Sequence, residues 1–213
     1  ARVGVPVLGT SAVSCLGYVV FAGLVSGMGT TVFAAHSIAV TAETIFYVPG
    51  YGLRSAASTL VSNACGAGNR ERLRRTAVIS IALTIGMMCA SGALLYVGAG
   101  FLMGIFSPVE EVVSLGAEML RLVALSEPFF GFMVVLEGIF YGMGRTRYAF
   151  FVEAFGMWAV RILCTFLCVR FWNLGLRAVW YCMIADNVCK ALLFAIPALR
   201  LLAEYSKIKP NCS

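Results

Sequence analysis

Polar and ionisable side chains recur at regular steps along an otherwise apolar stretch, residues 32–65. They lie at intervals of seven, four, three, four and four residues: His36, Glu43, Tyr47, Gly50, Arg54 and Ser58. A helix turns about 100° per residue, so these positions share one narrow face. A carboxylate on such a face can take a proton, a metal cation or an organic cation, and an exchange among these needs no covalent chemistry.

Glu43 and Arg54 carry the charges of this face. They are about 16 Å apart along a helix axis, so each needs water or a partner on another helix. Ionisable groups in lipid are costly, which favours a face that lines a cavity or a wet path. The alternative is that both residues hold neighbouring helices together. We expect His36, near the outer end, to be an interfacial residue with its hydrogen bonds satisfied.

The elements that carry these residues are membrane helices. The chain is 61% hydrophobic and 12% charged, whereas about 25% of a soluble domain is charged. Its apolar blocks can cross the ~30 Å hydrocarbon layer, and they do not alternate as barrel strands do. We predict an all-α polytopic membrane protein whose six-helix domain, residues 1–205, precedes a short cytoplasmic tail at 206–213. The predicted spans are 5–26, 32–65, 76–103, 112–142, 149–171 and 177–202.

Two prolines predict hinges within these spans. Pro49 lacks an N–H group and displaces the carbonyl of Ile45, and Gly50 and Gly52 weaken the same turn. We therefore predict a bend or a break in the second span. Pro128 predicts a second hinge in the fourth span.

Further acids lie in the fourth and last spans. Glu127 and Glu137 can face one cavity, and Glu127, nearer to mid-membrane, is the better candidate to coordinate a cation. If the coupling ion is Na⁺, we expect it at Glu43 or Glu127. Asp186 and Lys190 are spaced i,i+4 with the acid first, which predicts a structural ion pair.

Weaker polar patterns occur on two other spans. Thr10, Ser14 and Tyr18 follow one another at four-residue steps, which is typical of mild polar lining or of packing. Glu153 and Arg161 in the fifth span are interpreted as structural.

Eight cysteines are present, mostly within the spans, without a C-x-x-C pair. They have no cluster of His or acidic partners that would complete a metal site, so we interpret them as buried free thiols. Neither a catalytic grouping nor a phosphate-binding loop is visible. We therefore expect no cofactor and no enzymatic activity.

The net charge of +6 is distributed unevenly. Six spans place both termini and the loops after the second and fourth spans on one side, with ten basic residues; Arg170 and Arg177 lie on the other. The positive-inside rule makes the first side cytoplasmic, in the plasma membrane. The ten are Arg2, Arg70, Arg72, Arg74, Arg75, Arg145, Arg147, Arg200, Lys207 and Lys209. This distribution indicates orientation, and no nucleic-acid partner is implied.

Four stretches in sequence order resemble a known family. They are "AAHSIAVTAETIFYVPGYGLRSAASTLVSNACGAGNRERLRR" (34–75), "EGIFYGMGRTR" (137–147), "MWAVRILCTFL" (157–167) and "NLGLRAVW" (173–180). The chain is similar to the C-terminal half, spans seven to twelve, of a multidrug and toxic compound extrusion (MATE) transporter. Because it begins with Ala1, we expect an excerpt from a longer protein.

The resemblance implies an antiporter of two six-helix lobes. It would export amphipathic or cationic compounds by alternating access, in exchange for Na⁺ or H⁺. Glu43 matches the family's polar position on its helix, whereas Arg54 replaces a usually small residue. The implied partners are the bilayer, a small-molecule substrate, and the missing N-terminal lobe or a second copy of this chain.

Two alternatives remain open. A flippase for lipid-linked oligosaccharides, from the same superfamily, would favour a cationic cleft, to which Arg54 and Arg161 could contribute. A non-transporting scaffold or intramembrane enzyme would have paired charges and a dry interior.

Overall fold

The computed structural model describes residues 4–207, and the side chains of residues 8–199. Eight α-helices and one π-helical segment account for nearly all of them. They are α1 Gly4–Ser26, α2 Thr30–Gly66, α3 Arg70–Phe106, α4 Glu110–Ala124, α5 Glu127–Gly142, α6 Thr146–Phe155, the π segment Gly156–Ile162, α7 Leu163–Arg170 and α8 Leu176–Lys207. Residues 208–213 of the predicted tail lie outside this description, as do the side chains of Arg2, Arg200, Lys207 and Lys209.

Within residues 4–207, five continuous helical stretches are long and apolar enough to cross a membrane. The helices α4 and α5 make a sixth span if they are taken together, with a bend of 56° between them. The prediction of an all-α polytopic membrane protein is therefore confirmed, and its fourth span is broken. The bundle is held by α2 packing on α3 and α5, by α5 on α8, and by α1 on α6 and the π segment.

The break in the fourth span falls at residues 125–126, just before Glu127 and Pro128. Pro128 occupies the first turn of α5, where its missing N–H removes no intrahelical hydrogen bond. Ser126 turns back on α4, because both its backbone N–H and its hydroxyl donate to the carbonyl of Val123, at 2.7 and 2.8 Å. The chain therefore changes direction immediately before Glu127 and Pro128.

The structure shows no break at Pro49, since α2 is helical without interruption from Thr30 to Gly66; the hinge at this position stays a prediction. A neighbouring helix supplies part of the reason. The hydroxyl of Ser91, on α3, donates to the carbonyl of Phe46 at 2.7 Å, beside the displaced carbonyl of Ile45. Such side-chain donors let a membrane helix accommodate proline. Gly50 is buried near Met88, while an added Cβ at Gly52 would meet no atom within 4 Å.

The basic run after α2 forms the first turns of α3, where a loop was predicted. The turn is short because Gly68 adopts a φ of +63° and Asn69 caps the next helix. The Asn69 side-chain oxygen accepts from the N–H of Arg72 at 2.9 Å, as N-cap residues do. Residues 66–69 are thus a helix stop followed at once by a new helix.

The fifth span contains a π-helical segment that the apolar pattern did not predict. Gly156 begins it, and an added Cβ there would overlap Lys190 and Asp186 of α8. π-helical turns inside α-helices are rare and frequently mark functional sites. This one brings Arg161 from the same segment against α8.

Two apolar cores occupy the two ends of the bundle. One contains residues 35–42 of α2 and residues 176–183 of α8; the other contains residues 57–64 of α2 and residues 191–198 of α8. Glu43 and Arg54 of α2, and Asp186 and Lys190 of α8, lie between these cores. A polar layer therefore crosses the bundle at mid-height.

The thiols correct another prediction. Of the free cysteines in the described part of the chain, Cys182 alone is buried, and Cys15, Cys65 and Cys89 are exposed on the surface of the lobe. Exposed positions on membrane helices can still face apolar lipid, so the composition of the spans did not separate the two environments.

Candidate ligand-binding site

A cavity of ≈ 290 Å³ lies in the polar layer. Side chains of α1, α2, α5, α6, the π segment and α8 line it. Its polar and aromatic lining residues are Thr10, Ser11, Ser14, Tyr18, Glu43, Tyr47, Tyr51, Arg54, Phe130, Glu137, Tyr141, Glu153, Arg161, Asn187 and Lys190. The remainder are Val40, Met133, Val134, Met157 and Met183.

The cavity lies deep in the spans that form it. Glu43 is about 20 Å along α2 from Thr30, and Asn187 is about 16 Å along α8 from Leu176, at 1.5 Å per residue. A hydrocarbon layer of ~30 Å has its centre at a comparable depth. The charged groups of the cavity are therefore remote from bulk water unless the cavity itself is wet.

Glu43 faces this cavity without a cationic partner. Among the ion pairs of the described residues, none includes its carboxylate within 4 Å. Arg161 is the basic residue with which it interacts electrostatically at longer range. One turn away, Tyr47 shares a hydrogen bond of 3.1 Å with Thr44. A half-buried position at mid-depth disfavours an unpaired carboxylate, so Glu43 is suited to bind a proton or another cation.

Aromatic rings surround the cavity near Glu43. Tyr47, Tyr51 and Phe130 contact one another, with ring centroids 5.5 to 5.9 Å apart. The guanidinium carbon of Arg54 lies 4.8 Å from the Tyr51 ring centroid. Aromatic faces attract cations, so the same rings suit the organic part and the charge of an amphipathic cation.

Arg54 is both a lining residue and a helix-pairing residue. Its guanidinium lies 2.8 Å from the Glu137 carboxylate of α5 and donates a hydrogen bond to it. Glu137 is 6% exposed and Arg54 is 32% exposed. Both sequence interpretations therefore apply to Arg54, whereas Glu43 fits the cavity interpretation.

Four charged residues form one connected network at the side of the cavity. Lys190 lies 3.0 Å from Glu153 and 3.2 Å from Asp186. Arg161 lies 3.0 Å from the same Asp186 carboxylate. The predicted Asp186 and Lys190 pair is thus the middle of a larger group. Three of its members, Glu153, Arg161 and Lys190, also line the cavity, which the structural interpretation did not anticipate.

Glu127 is separate from the cavity lining, so the expectation that Glu127 and Glu137 face one cavity is wrong. Its side chain is 1% exposed, and neither carboxylate oxygen has a hydrogen-bond partner among the described residues. It packs where Gly92 of α3 leaves room, since a Cβ there would lie 3.1 Å from the Glu127 Cβ. Glu127 and Glu137 lie on the same helix, ten residues and about 80° of rotation apart, so their side chains meet different neighbours.

His36 also departs from expectation. It is 5% exposed, lies between the rings of Phe21 and Trp180, and its Nδ1 has no hydrogen-bond partner within the described part of the chain. It belongs to the apolar end of α2. Of the polar face predicted on this helix, Glu43, Tyr47 and Arg54 line the cavity, while His36, Gly50 and Ser58 do not.

Several lining residues, among them Tyr51, Phe130, Tyr141 and Asn187, were not singled out from the sequence. Tyr51 lies one turn from Tyr47 and could have been found by helical spacing. Phe130, Tyr141 and Asn187 line the cavity because of how α5 and α8 are rotated, and composition gave no signal for them. By contrast, Thr10, Ser14 and Tyr18 lie at the lining as one of the two sequence interpretations expected.

The described residues contain no group of three or more His, Cys, Asp or Glu side chains that could hold a metal ion. A cation here would instead rest on single carboxylates, aromatic faces and water. Such a site suits reversible exchange better than tight structural binding.

The fold and the site together define a class: a polytopic helical membrane protein with a charged cavity at mid-depth. A model of the MatE family matches residues 6–167. The chain belongs to the MatE family.

Curated relatives agree with this assignment. The probable multidrug resistance protein NorM of Thermotoga maritima is 24% identical over 192 residues, which make up 90% of this chain and 41% of that protein. Multidrug and toxin extrusion protein 1 of Mus musculus is 27% identical over 175 residues, covering 82% of this chain and 31% of that protein. The chain thus spans about two fifths or less of these relatives.

Solved structures show the same fold. A multidrug resistance MATE family transporter of the MOP superfamily in an outward-facing conformation superposes with a TM-score of 0.88 and 20% identity, over 98% of this chain and 46% of that chain. A MOP superfamily transporter from Pyrococcus furiosus, described as having a binding pocket of reverse polarity, superposes with a TM-score of 0.85 and 21% identity. The match covers 91% of this chain and 43% of that chain.

Proposed function

We propose that this chain forms the C-terminal six-helix lobe of a two-lobe secondary active transporter. The transporter exports small amphipathic or cationic compounds by alternating access, in antiport with Na⁺ or H⁺. Membership of the MatE family and similarity to multidrug resistance proteins support the transport class. The other lobe, or a second copy of this lobe, completes the cleft. Both termini of the chain lie on the cytoplasmic side of the plasma membrane.

The observation that carries this proposal is the position of Glu43. Its carboxylate faces a cavity at mid-depth, next to aromatic rings, and lacks the basic partner that the other lining carboxylates have. A cation that enters can therefore gain a charge pair at Glu43. Competition between an ion and an organic cation for this group gives exchange without a chemical reaction.

Glu127 is the second candidate for the coupling ion. It is buried, without hydrogen-bond partners among the described residues, and it interacts electrostatically with Glu43. Two carboxylates that repel each other across a low-dielectric interior favour the uptake of at least one positive charge. Glu43 is the site shared with the exported cation, and Glu127 is a site for the ion alone because it does not line the cavity.

The test uses the complete transporter in sealed vesicles. A fluorescent cationic dye is followed under an imposed Na⁺ gradient and then under a proton gradient, for the wild type, Glu43→Gln and Glu111→Gln. Glu111 lies exposed in the first turn of α4 and serves as the matched carboxylate control. We expect one gradient to drive dye movement, which Glu43→Gln abolishes and Glu111→Gln leaves intact.

Dye movement that persists in Glu43→Gln would remove Glu43 from the mechanism. No movement under either gradient, with folded wild-type protein, would contradict antiport of cations. That absence of dye movement would favour the flippase for lipid-linked oligosaccharides.

One observation favours that second function. Arg54, Arg161 and Lys190 all line the cavity, and a pyrophosphate-linked lipid would need such cations. Each of the three is already within 3.2 Å of a carboxylate, so the lining is not strongly cationic. Transport of a fluorescent phospholipid-linked sugar by the wild type, lost in Arg54→Gln, would establish this alternative.

A further inference from the structure

The charges around the cavity do not balance. Four carboxylates, those of Glu43, Glu137, Glu153 and Asp186, accompany three basic side chains, those of Arg54, Arg161 and Lys190. Arg54 is committed to Glu137 by a hydrogen-bonded pair. The other two bases therefore serve three carboxylates.

Arg161 and Lys190 are shared unequally among these three carboxylates. Asp186 has both Lys190 and Arg161 within 3.2 Å, while Glu43 has no base within 4 Å among the described residues. Lys190 also contacts Glu153, at 3.0 Å, and an ammonium group has three donors for two such acceptors. Asp186 would thus keep a cationic partner if Arg161 left it.

Arg161 is held loosely enough to leave. Its Nε lies 3.0 Å from Asp186, yet neither that nitrogen nor either Asp186 carboxylate oxygen has a hydrogen-bond partner among the described residues. Its hydrogen bond to Asn187 is long, at 3.5 Å. A well-made arginine–carboxylate pair is short and bidentate. The contact is one of charge and proximity, without the geometry that would fix it.

The carboxylate of Glu43 is a second partner for Arg161 within the cavity. Arg161 and Glu43 line the same cavity and interact electrostatically across it. The ring of Tyr18, another lining residue, lies 5.7 Å from the Arg161 guanidinium carbon, and that of Phe21 lies 5.9 Å away. Aromatic faces stabilise a guanidinium group while it changes its carboxylate partner.

We propose that Arg161 is an exchangeable internal counter-ion of Glu43: it pairs with Glu43 when no external cation is bound, and returns to Asp186 when a cation occupies Glu43. This rests on the proposed function and adds a mechanism for it. The empty cavity then never holds an uncompensated carboxylate at mid-depth. Arg161 competes with every external cation for Glu43. The fraction of time that Arg161 spends paired with Glu43 therefore sets the apparent affinity of the site for cations.

The exchange predicts opposite effects of two substitutions on cation binding. Arg161→Gln removes the competitor, so the affinity for tetraphenylphosphonium should rise about tenfold if Glu43 is free only about a tenth of the time in the wild type. Asp186→Asn removes the alternative partner of Arg161 and should lower that affinity. Both effects should disappear in a Glu43→Gln background.

The measurement is equilibrium binding of tetraphenylphosphonium to the purified complete transporter in detergent. Arg177→Gln is the control, because Arg177 is an exposed arginine of α8 whose partner is Glu118; its affinity should equal that of the wild type. Arg161→Lys keeps the charge and should stay near the wild-type value. A purely structural role for Arg161 would instead show as lower thermal stability without tighter binding.

Unchanged or weaker binding by folded Arg161→Gln would overturn the exchange. If Arg161→Gln does not fold, Asp186→Asn is the deciding variant. Unchanged or tighter binding of tetraphenylphosphonium by Asp186→Asn then overturns the proposal. The single variant Glu43→Gln separates this proposal from the function beneath it. Wild-type affinity in Glu43→Gln refutes both, whereas weakened binding there with no effect at Arg161 refutes the exchange alone.

Discussion

At the level of single residues, the Arg54 and Glu137 pair is asymmetric. Glu137 is 6% exposed, and Arg54 is 32% exposed. Removing one member of a buried pair strands the other, at a cost of about 3 kcal/mol when the stranded group is buried. A stranded group that reaches water costs about 1 kcal/mol or less.

We therefore expect Arg54→Gln to lower the free energy of unfolding by about 3 kcal/mol, and Glu137→Gln by about 1 kcal/mol. Unfolding of the purified protein in detergent measures both. The double variant Arg54→Gln with Glu137→Gln should recover most of the loss. Equal losses in the two single variants would show that burial does not control the cost.

The site residues show how far sequence alone reaches. The spacing on α2 predicted that Glu43, Tyr47 and Arg54 share a face, because one helix fixes their relative directions. The spacing could not predict the partners of these residues, because contact between Arg54 and Glu137 depends on how α2 and α5 rotate against each other. The same holds for Arg161, which the π segment turns toward Asp186.

At the level of elements, α5 and α2 approach closely through two glycines. A Cβ added at Gly138 would lie 2.5 Å from the Arg54 carbonyl oxygen, and one at Gly142 would lie 2.5 Å from the Ser58 carbonyl oxygen. This four-residue spacing of small residues is typical of close membrane-helix packing.

Gly138→Ala and Gly142→Ala should each lower the free energy of unfolding by about 1–3 kcal/mol, because the backbone of α2 must move. Gly86→Ala on α3 is the control, since its added Cβ meets no atom within 4 Å. Thermal unfolding in detergent measures all three. A Gly86→Ala loss as large as the others would contradict the close-packing account.

The continuity of α2 gives a second prediction at this level. Ser91→Ala removes the donor to the Phe46 carbonyl and should cost about 1 kcal/mol. In a Pro49→Ala background the cost should be smaller, because a turn without the proline ring lets the N–H of Gly50 serve the Phe46 carbonyl. A double-mutant cycle of unfolding free energies gives the coupling, and additive effects would disprove the role assigned to Ser91.

Element boundaries were predictable where the signals were local. Gly68 and Asn69 ended α2 and capped α3, as turn and cap residues do. No break formed at Pro49, where a donor from another helix supports the turn, and proline alone carries no information about that neighbour. The break fell instead before Pro128, at a helix start that suits proline.

At the level of the whole molecule, the charge distribution predicts orientation. Basic residues cluster at the turn between α2 and α3 and at that between α5 and α6, which the positive-inside rule places in the cytoplasm. In a background without native cysteines, Ala67→Cys should resist a membrane-impermeant maleimide in intact cells. Leu174→Cys, at the turn between α7 and α8, should react. The reverse pattern would invert the proposed topology.

The two apolar cores and the polar layer between them place Glu43 at mid-depth, where the proposed transporter would bind and release a cation. The most direct test is equilibrium binding of ethidium, a monovalent organic cation, to the complete transporter in detergent. Glu43→Gln should weaken binding at least about tenfold, the equivalent of about 1.4 kcal/mol for one lost charge contact, and Glu111→Gln should not. Wild-type affinity in folded Glu43→Gln would contradict the account.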